Sequence, residues 1–308
     1  MPLDLIPPDS FDSLLAFTRQ HGGPPSLFLK YRRNQLELVL AMTGVELRNK
    51  EIVEIGGGVS GQALLLSTLA QRVIVTDLLH VESVHGTAFA EAAAIRRLNR
   101  QHLFFVCSRA ESLPLPDASA DVAFSSYALE HIEERREAVA EINRILRDDG
   151  IAIVVVPNVM AAVIRMLWFL LVHAPRQALK VILLRSGLAQ RLGMELRYAP
   201  DFRYKPHGAY PGHFAELSAS RIGEWDDLFR QQGFEIAQRF SLEHESYLAF
   251  FSWRLRLASQ QRALRMLRAI GPKAAAVWLG PAYGFVAKKG RAQARNQAST
   301  MTRSYSST

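Results

Sequence analysis

Apolar and polar positions alternate in a regular order along residues 51–156. Short β-branched or aromatic runs predict strands, and apolar residues at every third or fourth position predict helices between them. The run at residues 151–156 (IAIVVV) is apolar throughout, as expected of a parallel strand covered by helices on both faces. The alternation predicts an α/β fold with a doubly wound sheet. The predicted strands are residues 51–55, 73–76, 103–106, 121–125 and 151–156, with further strands at 234–236 and 283–288.

Two helices within this alternation are predicted at residues 63–70 and 131–147. The second has Glu133 and Glu134 near its start and Gly150 after its end, which are typical signals for the two ends of a helix. The fifth strand is therefore expected to begin after that glycine.

Helical segments also precede and interrupt the predicted sheet. Two helices are expected before the first strand, separated by Gly-Gly-Pro-Pro at residues 22–25. They could form either a packing appendage or a flap over a ligand. The predicted organisation is an N-terminal helical segment at 1–45, a main domain at 46–288 with helical insertions at about 160–200 and 247–270, and a disordered basic tail at 289–308.

The insertions carry large apolar side chains interleaved with arginine. The apolar run at residues 160–172 is shorter than the roughly 20 residues of a membrane-spanning helix, and Arg165 interrupts it, so we predict that it does not span a membrane. Two interpretations remain open. The insertions could be lid helices over the carboxyl edge of the sheet, or an interfacial surface that makes peripheral contact with an anionic membrane and admits an amphiphilic molecule.

Composition and charge limit the partners of this chain of 308 residues. Its formal net charge is +8, but the basic residues form no recognisable nucleic-acid motif, so we expect no nucleic-acid partner. The single cysteine, Cys107, lies in an apolar run and is predicted to fill the core. Residues 1–10 lack the pattern of a secretory signal. We expect a cytoplasmic location, with peripheral attachment to the inner face of a membrane as the alternative.

Candidate chemistry is concentrated at residues 51–62 (EIVEIGGGVSGQ), where the first predicted strand leads into three glycines and then a helix. Such a turn lets backbone N–H groups and the positive end of a helix dipole approach a ligand, so a polar, nucleotide-like ligand is expected. Gly56, Gly58 and Gly61 also satisfy the G-x-G-x-x-G fingerprint. Asp77 lies where an NAD-binding acid would lie, so an NAD-dependent oxidoreductase is one interpretation.

Four motifs in order resemble those of one enzyme family. Residues 54–58 resemble its E/D-x-G-x-G motif, and Asp77 resembles its acidic residue after the second strand. Residues 110–132 (AESLPLPD, then DVAFSSYALEHI) and 141–150 (EINRILRDDG) are similar to its later motifs. Over about residues 45–158 the chain therefore resembles class I S-adenosylmethionine-dependent methyltransferases of the small-molecule type. The resemblance implies a Rossmann-like, mostly parallel, seven-stranded sheet.

The resemblance also implies S-adenosyl-L-methionine as the cofactor. Gly56 and Gly58 would let the backbone approach its methionine and ribose portions. Glu54 would orient the loop or meet the ammonium group, and Asp77 would accept hydrogen bonds from the ribose hydroxyls. The implied cofactor-binding residues are Glu54, Gly56, Gly57, Gly58, Asp77, Leu78, Ala110, Glu111, Ser126 and Tyr127.

The chain departs from the family pattern at two positions. Arg109 stands where relatives usually carry an acid that accepts from the adenine amino group, and an arginine side chain cannot accept a hydrogen bond. Glu111 is the expected substitute, with Ala110 beside it along the adenine edge. Ser60 replaces the third glycine of many relatives, which alters the turn without abolishing it.

A catalytic base is needed only if the methyl acceptor must lose a proton. His131 is the first candidate because it follows the fourth predicted strand, and the alternative is a structural histidine at a helix start. His207 and His213 are second candidates that a polar loop explains equally well, and we expect no metal site. Glu130 is expected to be structural.

The resulting hypothesis is a methyltransferase that acts on a small or amphiphilic, lipid-like acceptor, with methylation at oxygen favoured over nitrogen or carbon. Methyl transfer is a displacement at an activated sulfonium methyl, so positioning can supply much of the catalysis. One alternative is a non-catalytic S-adenosylmethionine-binding assembly or regulatory protein, which Arg109 supports. The other is the NAD-dependent oxidoreductase. No pattern indicates an oligomeric state.

Overall fold

Seven strands form a single sheet in the computed structural model. The residues that the structure describes are 6, 8–21, 26–57, 61–78, 102–191, 208–242, 253–270 and 282–290. The strands are β1 (Glu51–Ile55), β2 (Arg72–Asp77), β3 (Leu103–Cys107), β4 (Ala120–Ser126), β5 (Leu146–Pro157), β6 (Phe234–Leu242) and β7 (Ala282–Lys289). Their order across the sheet is β3-β2-β1-β4-β5-β7-β6.

The strands pair in parallel from β3 through β5, and β7 is antiparallel to both β5 and β6. This arrangement confirms the predicted α/β, Rossmann-like, mostly parallel, seven-stranded sheet. The described helices are α1 (Pro8–His21), α2 (Ser26–Thr43), α3 (Gln62–Leu66), α4 (Arg135–Ile145), α5 (Val159–Arg185), α6 (Leu188–Arg191), α7 (His213–Ala219), α8 (Ile222–Gln231) and α9 (Trp253–Ile270).

The sheet is buried on both faces, as the apolar strands predict. Successive residues of β1 point to opposite faces: Ile52 packs in one core with Leu64 of α3, and Val53 packs in the other with Ile142 of α4. Helices therefore cover both sides of the central strands, which leaves the carboxyl ends of β1, β2 and β4 as the place for a site.

The helices before the first strand pack onto distant parts of the chain. The Asn34 side-chain amide of α2 donates to Gln260 Oε1 of α9 at 3.3 Å, and Gln238 of β6 donates to the carbonyl of Met42 at 2.6 Å. These bonds join the N-terminal helices to the domain that they precede.

Two predicted helix boundaries were wrong. Residues 131–147 are not one helix: Leu129–His131 is a 3₁₀ turn, α4 ends at Ile145, and β5 begins at Leu146, whose carbonyl accepts a 2.7 Å bond from Lys289. Partners that lie far away in the sequence therefore hold residues 146–150 extended. The first helix after the glycines ends at Leu66 rather than residue 70, because the Ser67 and Thr68 hydroxyls donate to carbonyls three residues back.

The helix that contains the apolar run after β5 is longer than the sequence predicts, whereas its not spanning a membrane stays a prediction. Val159–Arg185 is one helix of 27 residues, long and apolar enough to cross a membrane by length and composition. The helix continues through a π-helical turn at Phe169–His173, just before Pro175. Proline has no backbone N–H to donate to the preceding turn, and the wider π-helical turn lets the helix pass this position. Only 6% of its most apolar window is buried.

Cys107 is exposed at the end of β3, so the prediction of a core position was wrong. Lys289 belongs to β7 rather than to the predicted tail. Gly58, Ser60, His207 and residues 192–200, 247–252 and 291–308, for which predictions were made, lie outside the described residues.

Candidate active site

A cavity of about 890 Å³ lies at the carboxyl ends of β1, β2 and β4. Ligands of open α/β sheets bind at this edge. Its wall includes these residues that were predicted to act in cofactor binding or catalysis: Gly56, Asp77, Leu78, Ala110, Glu111, Ser126, Tyr127 and His131. The fold thus brings residues from well-separated motifs to a single cavity.

The glycine turn after β1 fits closely between two neighbouring elements. Gly56 has a φ of 72°, and a Cβ built on it would lie 2.3 Å from the Cβ of Ala128. Tyr127, just before Ala128, also has a positive φ of 56°, a conformation that bulky residues rarely adopt. Because this turn presses Ala128 against Gly56, only glycine fits there.

The N–H groups of this turn are bonded within the fold. Gly56 and Gly57 both donate to the carbonyl of Thr76 on β2, at 2.8 and 3.3 Å. The expectation that backbone N–H groups of the turn approach a ligand therefore does not hold at these two glycines. Glu54 is buried, with 2% of its surface exposed, and its carboxyl lies 2.6 Å from where a Cβ of Gly57 would be, so it lies behind the turn.

Two polar residues at the carboxyl ends of β2 and β3 line the cavity. Asp77 ends β2, and its carbonyl accepts a 3.1 Å bond from the N–H of Ser108. The buried Oγ of Ser108 has no hydrogen-bond partner among the described residues. A buried hydroxyl in this position fits a polar ligand in the cavity.

Arg109 forms an ion pair with Glu111, the residue that was expected to replace the acid of the family pattern. Its Nη2 lies 2.6 Å from Glu111 Oε1, and both residues lie on the cavity wall with Ala110 between them. The wall therefore carries a carboxylate two residues after the position where the family pattern has its acid.

Arg144 explains why two distant motifs occur together. Its guanidinium donates to the carbonyls of Leu113 and Leu115 at 2.9 and 2.8 Å, and to Asp117 and Glu141 at 2.7 Å. The bonds to Glu141 are the main cause that raises the pKa of Arg144. The arginine of the helix motif thus anchors the segment that follows the cavity residues 108–111.

His131 lies on the side of the cavity near α4, and its neighbour Glu130 is buried in the protein. Glu130 is fully buried, and burial raises the pKa of its carboxyl to about 8, against the opposing charges of Arg135, Arg165 and Arg32. His131 lies on the wall, and burial is the main cause that lowers its pKa. Its imidazole is therefore neutral near pH 7 and can accept a proton.

Phe28 and Arg32 of α2 line the same cavity, although no sequence motif pointed to them. The Arg32 guanidinium lies 5.7 Å from the ring centre of Tyr127 and 5.3 Å from that of Phe28. Of the two interpretations of the N-terminal helices, this placement favours a wall or flap over a remote appendage.

His213 occupies a different position from His131. Its Nδ1 lies 3.8 Å from Glu216, which is buried and forms an ion pair with Arg165. Among the described residues, no group of three or more His, Cys, Asp or Glu side chains could hold a metal ion.

Comparison with known proteins decides between the two interpretations of the glycine fingerprint. Residues 53–154 match the family described as "Methyltransferase domain". Residues 53–154 thus match a methyltransferase domain, and this part of the chain is similar to S-adenosylmethionine-dependent methyltransferases. S-adenosyl-L-methionine is the cofactor of such domains. The glycine turn at Gly56 leaves space for it, and Asp77 and Ser108 provide polar groups that fit it.

The methyltransferase domain has curated and structural relatives. An uncharacterized methyltransferase of Bacillus subtilis, YcgJ, is 32% identical over 99 residues, which cover 32% of this chain and 37% of that protein. A "Probable S-adenosylmethionine-dependent methyltransferase" of Mycolicibacterium smegmatis is 28% identical over 152 residues, covering 49% and 55%. The chain thus spans from about a third to just over half of the length of these relatives.

A solved structure shares the fold. The crystal structure of the [4+2]-cyclase SpnF superposes with a TM-score of 0.50 and 19% identity, covering 84% of this chain and 81% of that one. At this identity the likeness concerns the fold alone, because one fold carries many chemistries.

Proposed function

We propose that this protein transfers the methyl group of S-adenosyl-L-methionine to a hydroxyl oxygen of a small or amphiphilic acceptor. The observation that carries the proposal is the single cavity that gathers the glycine turn, Asp77, the Arg109–Glu111 segment and His131. These four groups of residues, separated by up to 75 positions in the sequence, meet at this cavity, as a bound cofactor and acceptor require.

The residues on the wall divide between the two ligands. Asp77 would hold the ribose hydroxyls, Glu111 would accept from the adenine amino group, and the turn at Gly56 would take the methionine portion. When bound, the cofactor supplies a methyl group on a positively charged sulfur, which is already activated for transfer. The protein's own contribution is mainly to hold the acceptor in line.

His131 is the group proposed to take the acceptor's proton. A hydroxyl that gains a methyl group loses its proton, and the lowered pKa of His131 keeps the imidazole free to accept it. Phe28, Ile132 and Tyr127 give the same wall an apolar surface beside the Arg32 cation. This mixture suits an acceptor with an apolar body and a polar group.

Calorimetric titration with S-adenosylhomocysteine tests the cofactor site. Asp77→Ala is expected to weaken binding at least tenfold, since about 1.4 kcal/mol of hydrogen bonding would be lost. The control variant is Asp148→Ala, whose exposed carboxyl lies 4.0 Å from Lys289 and away from the cavity; it should bind as the wild type does. Equal affinity in all three proteins, or stabilisation by NADH instead, would contradict the proposal.

Turnover separates an enzyme from a protein that only binds the cofactor. Wild type supplied with methyl-labelled cofactor should label a component of a cell extract, and His131→Gln should lower this rate at least tenfold without changing the affinity for S-adenosylhomocysteine. Tight cofactor binding without labelling of any extract fraction would favour a non-catalytic assembly or regulatory role.

A further inference from the structure

Exposed apolar side chains are concentrated on one stretch of the molecule. Nine of the thirteen large apolar side chains that are exposed among the described residues lie within residues 166–188 of α5 and α6. Leu171 is 70% exposed and Ile182 is 61% exposed. These nine residues, here named the apolar–basic surface, are Met166, Leu167, Trp168, Leu170, Leu171, Leu179, Ile182, Leu184 and Leu188.

The charges of the same stretch have one sign. Residues 159–191 contain no Asp or Glu and five basic residues. Arg165 is engaged inside the protein by Glu216, whereas Arg176 and Arg185 are exposed beside the apolar side chains. Apolar side chains rimmed by arginine and lysine are complementary to the acyl boundary and headgroups of an anionic bilayer.

The way in which α5 is attached indicates how it would meet a bilayer. The Asn158 side chain caps its start by accepting from the N–H of Met160, directly after β5. Ala162 and Gln177 are its buried side chains, and the Arg165–Glu216 pair fastens it to α7. The helix is therefore held against the domain through its first half.

A helix that crossed the bilayer would bring Arg176 and Lys180 near the hydrocarbon centre. Each charge there costs about 2.5–3.5 kcal/mol. A helix lying in the interface lets the same side chains extend to the headgroups while the leucines enter the acyl boundary. Trp168 also belongs to a residue type that is enriched at this depth.

We propose that the apolar–basic surface docks in the plane of an anionic membrane, with α5 parallel to the bilayer. The N–H of Tyr127 on the cavity wall donates to the carbonyl of Val155 at 2.9 Å, three residues before Asn158 caps α5, so the start of α5 lies beside the cavity wall. Docking would therefore bring the cavity to the source of an amphiphilic acceptor. This last step rests on the proposed function, whereas docking itself does not.

Co-sedimentation of the full chain with vesicles tests the docking. Vesicles that contain phosphatidylglycerol should bind the protein at 50 mM salt, and binding should fall at least tenfold at 500 mM salt or with pure phosphatidylcholine. Leu171→Gln/Ile182→Gln and Arg176→Gln/Lys180→Gln should each weaken binding at least fivefold. Leu27→Gln, a control that removes an exposed leucine from α2, should bind as the wild type does.

Four results would overturn the docking proposal. The first two are no binding to anionic vesicles and equal binding by all variants. The third is retention in the membrane after carbonate extraction, which indicates a spanning helix. The fourth is a dimer that Leu171→Gln/Ile182→Gln dissociates, which indicates a second copy on this surface. Titration of the same variants with S-adenosylhomocysteine distinguishes these results from a failure of the cofactor site, because the surface variants should keep wild-type affinity.

Discussion

Glu130 Oε1 lies 3.8 Å from His131 Nε2, and the carboxyl is fully buried whereas the imidazole lies on the cavity wall. Adjacent residues of one 3₁₀ turn thus have opposite environments. The guanidinium of Arg135 donates to the Glu130 carbonyl at 3.1 Å, and the N–H of Ala209 donates to the same oxygen at 2.9 Å. These bonds fix the turn that presents His131 to the cavity.

The first prediction concerns the pH dependence of stability. The pKa of Glu130 is about 8 in the folded protein and near its ordinary 4.5 when unfolded. The contribution of the Glu130 carboxyl to the free energy of unfolding is therefore fully present below pH 4.5 and is lost as pH rises through 8. Glu130→Gln removes this loss, so its free energy of unfolding relative to wild type should rise with pH by up to about 1.4 kcal/mol per unit.

Urea unfolding at pH 5, 6, 7 and 8 measures this difference. Glu137→Gln is the matched control, because Glu137 is an exposed residue on the neighbouring helix α4. Its stability should follow the wild-type curve. Parallel curves for wild type and Glu130→Gln would show that the buried carboxyl does not keep its proton.

The second prediction tests the close fit of the glycine turn. Gly56→Ala places a Cβ 2.3 Å from that of Ala128, whereas Gly44→Ala meets no atom within 4 Å, and both glycines have a φ near 70°. Gly44→Ala should lose about 1–2 kcal/mol of stability from backbone strain alone. Gly56→Ala should lose more and should bind S-adenosylhomocysteine at least tenfold more weakly.

Thermal unfolding and calorimetric titration of the two variants give the comparison. Because the backbone strain is shared, the difference between them reports the contact with Ala128. Equal melting temperatures for both variants would mean that the turn has room for a side chain.

The third prediction concerns Arg144. Arg144→Lys keeps the charge but cannot donate to Leu113, Leu115 and Asp117 together. We expect a loss of about 1–3 kcal/mol of stability and weaker binding of S-adenosylhomocysteine, because the segment after Glu111 is no longer anchored. Arg136→Lys, which loses one exposed bond to Gln231, is the control and should change neither quantity measurably. Full cofactor affinity in Arg144→Lys would remove the anchoring role.

The sheet was predictable because its signals are local. Buried parallel strands such as β5 are continuous apolar runs, and the turn after β1 requires glycine at Gly56 for a backbone reason that is visible in the sequence. Asp77 reaches the cavity because it directly follows a predicted strand, and His131 because it lies in the segment after the fourth strand. Whether they bind cofactor or acceptor stays a prediction.

Other features depend on distant partners. Arg32 and Phe28 lie more than 20 positions before the first motif, and no local pattern shows that α2 turns this face toward the cavity. The true start of β5 depends on Lys289, which lies 143 positions away. The length of α5 was missed because its apolar run stops at Val172, and a π-helical turn that sequence patterns do not reveal lets the helix continue past Pro175.

The carbonyl of Thr76 binds two successive amides of the glycine turn, and this has a consequence for recognition. Ordering a backbone residue costs about 1–2 kcal/mol of entropy. At Gly56 and Gly57 that entropy is lost when the chain folds, so a ligand binds to a backbone that is already rigid. Less of the free energy of its contacts is then spent on ordering the protein, and more of it appears as affinity.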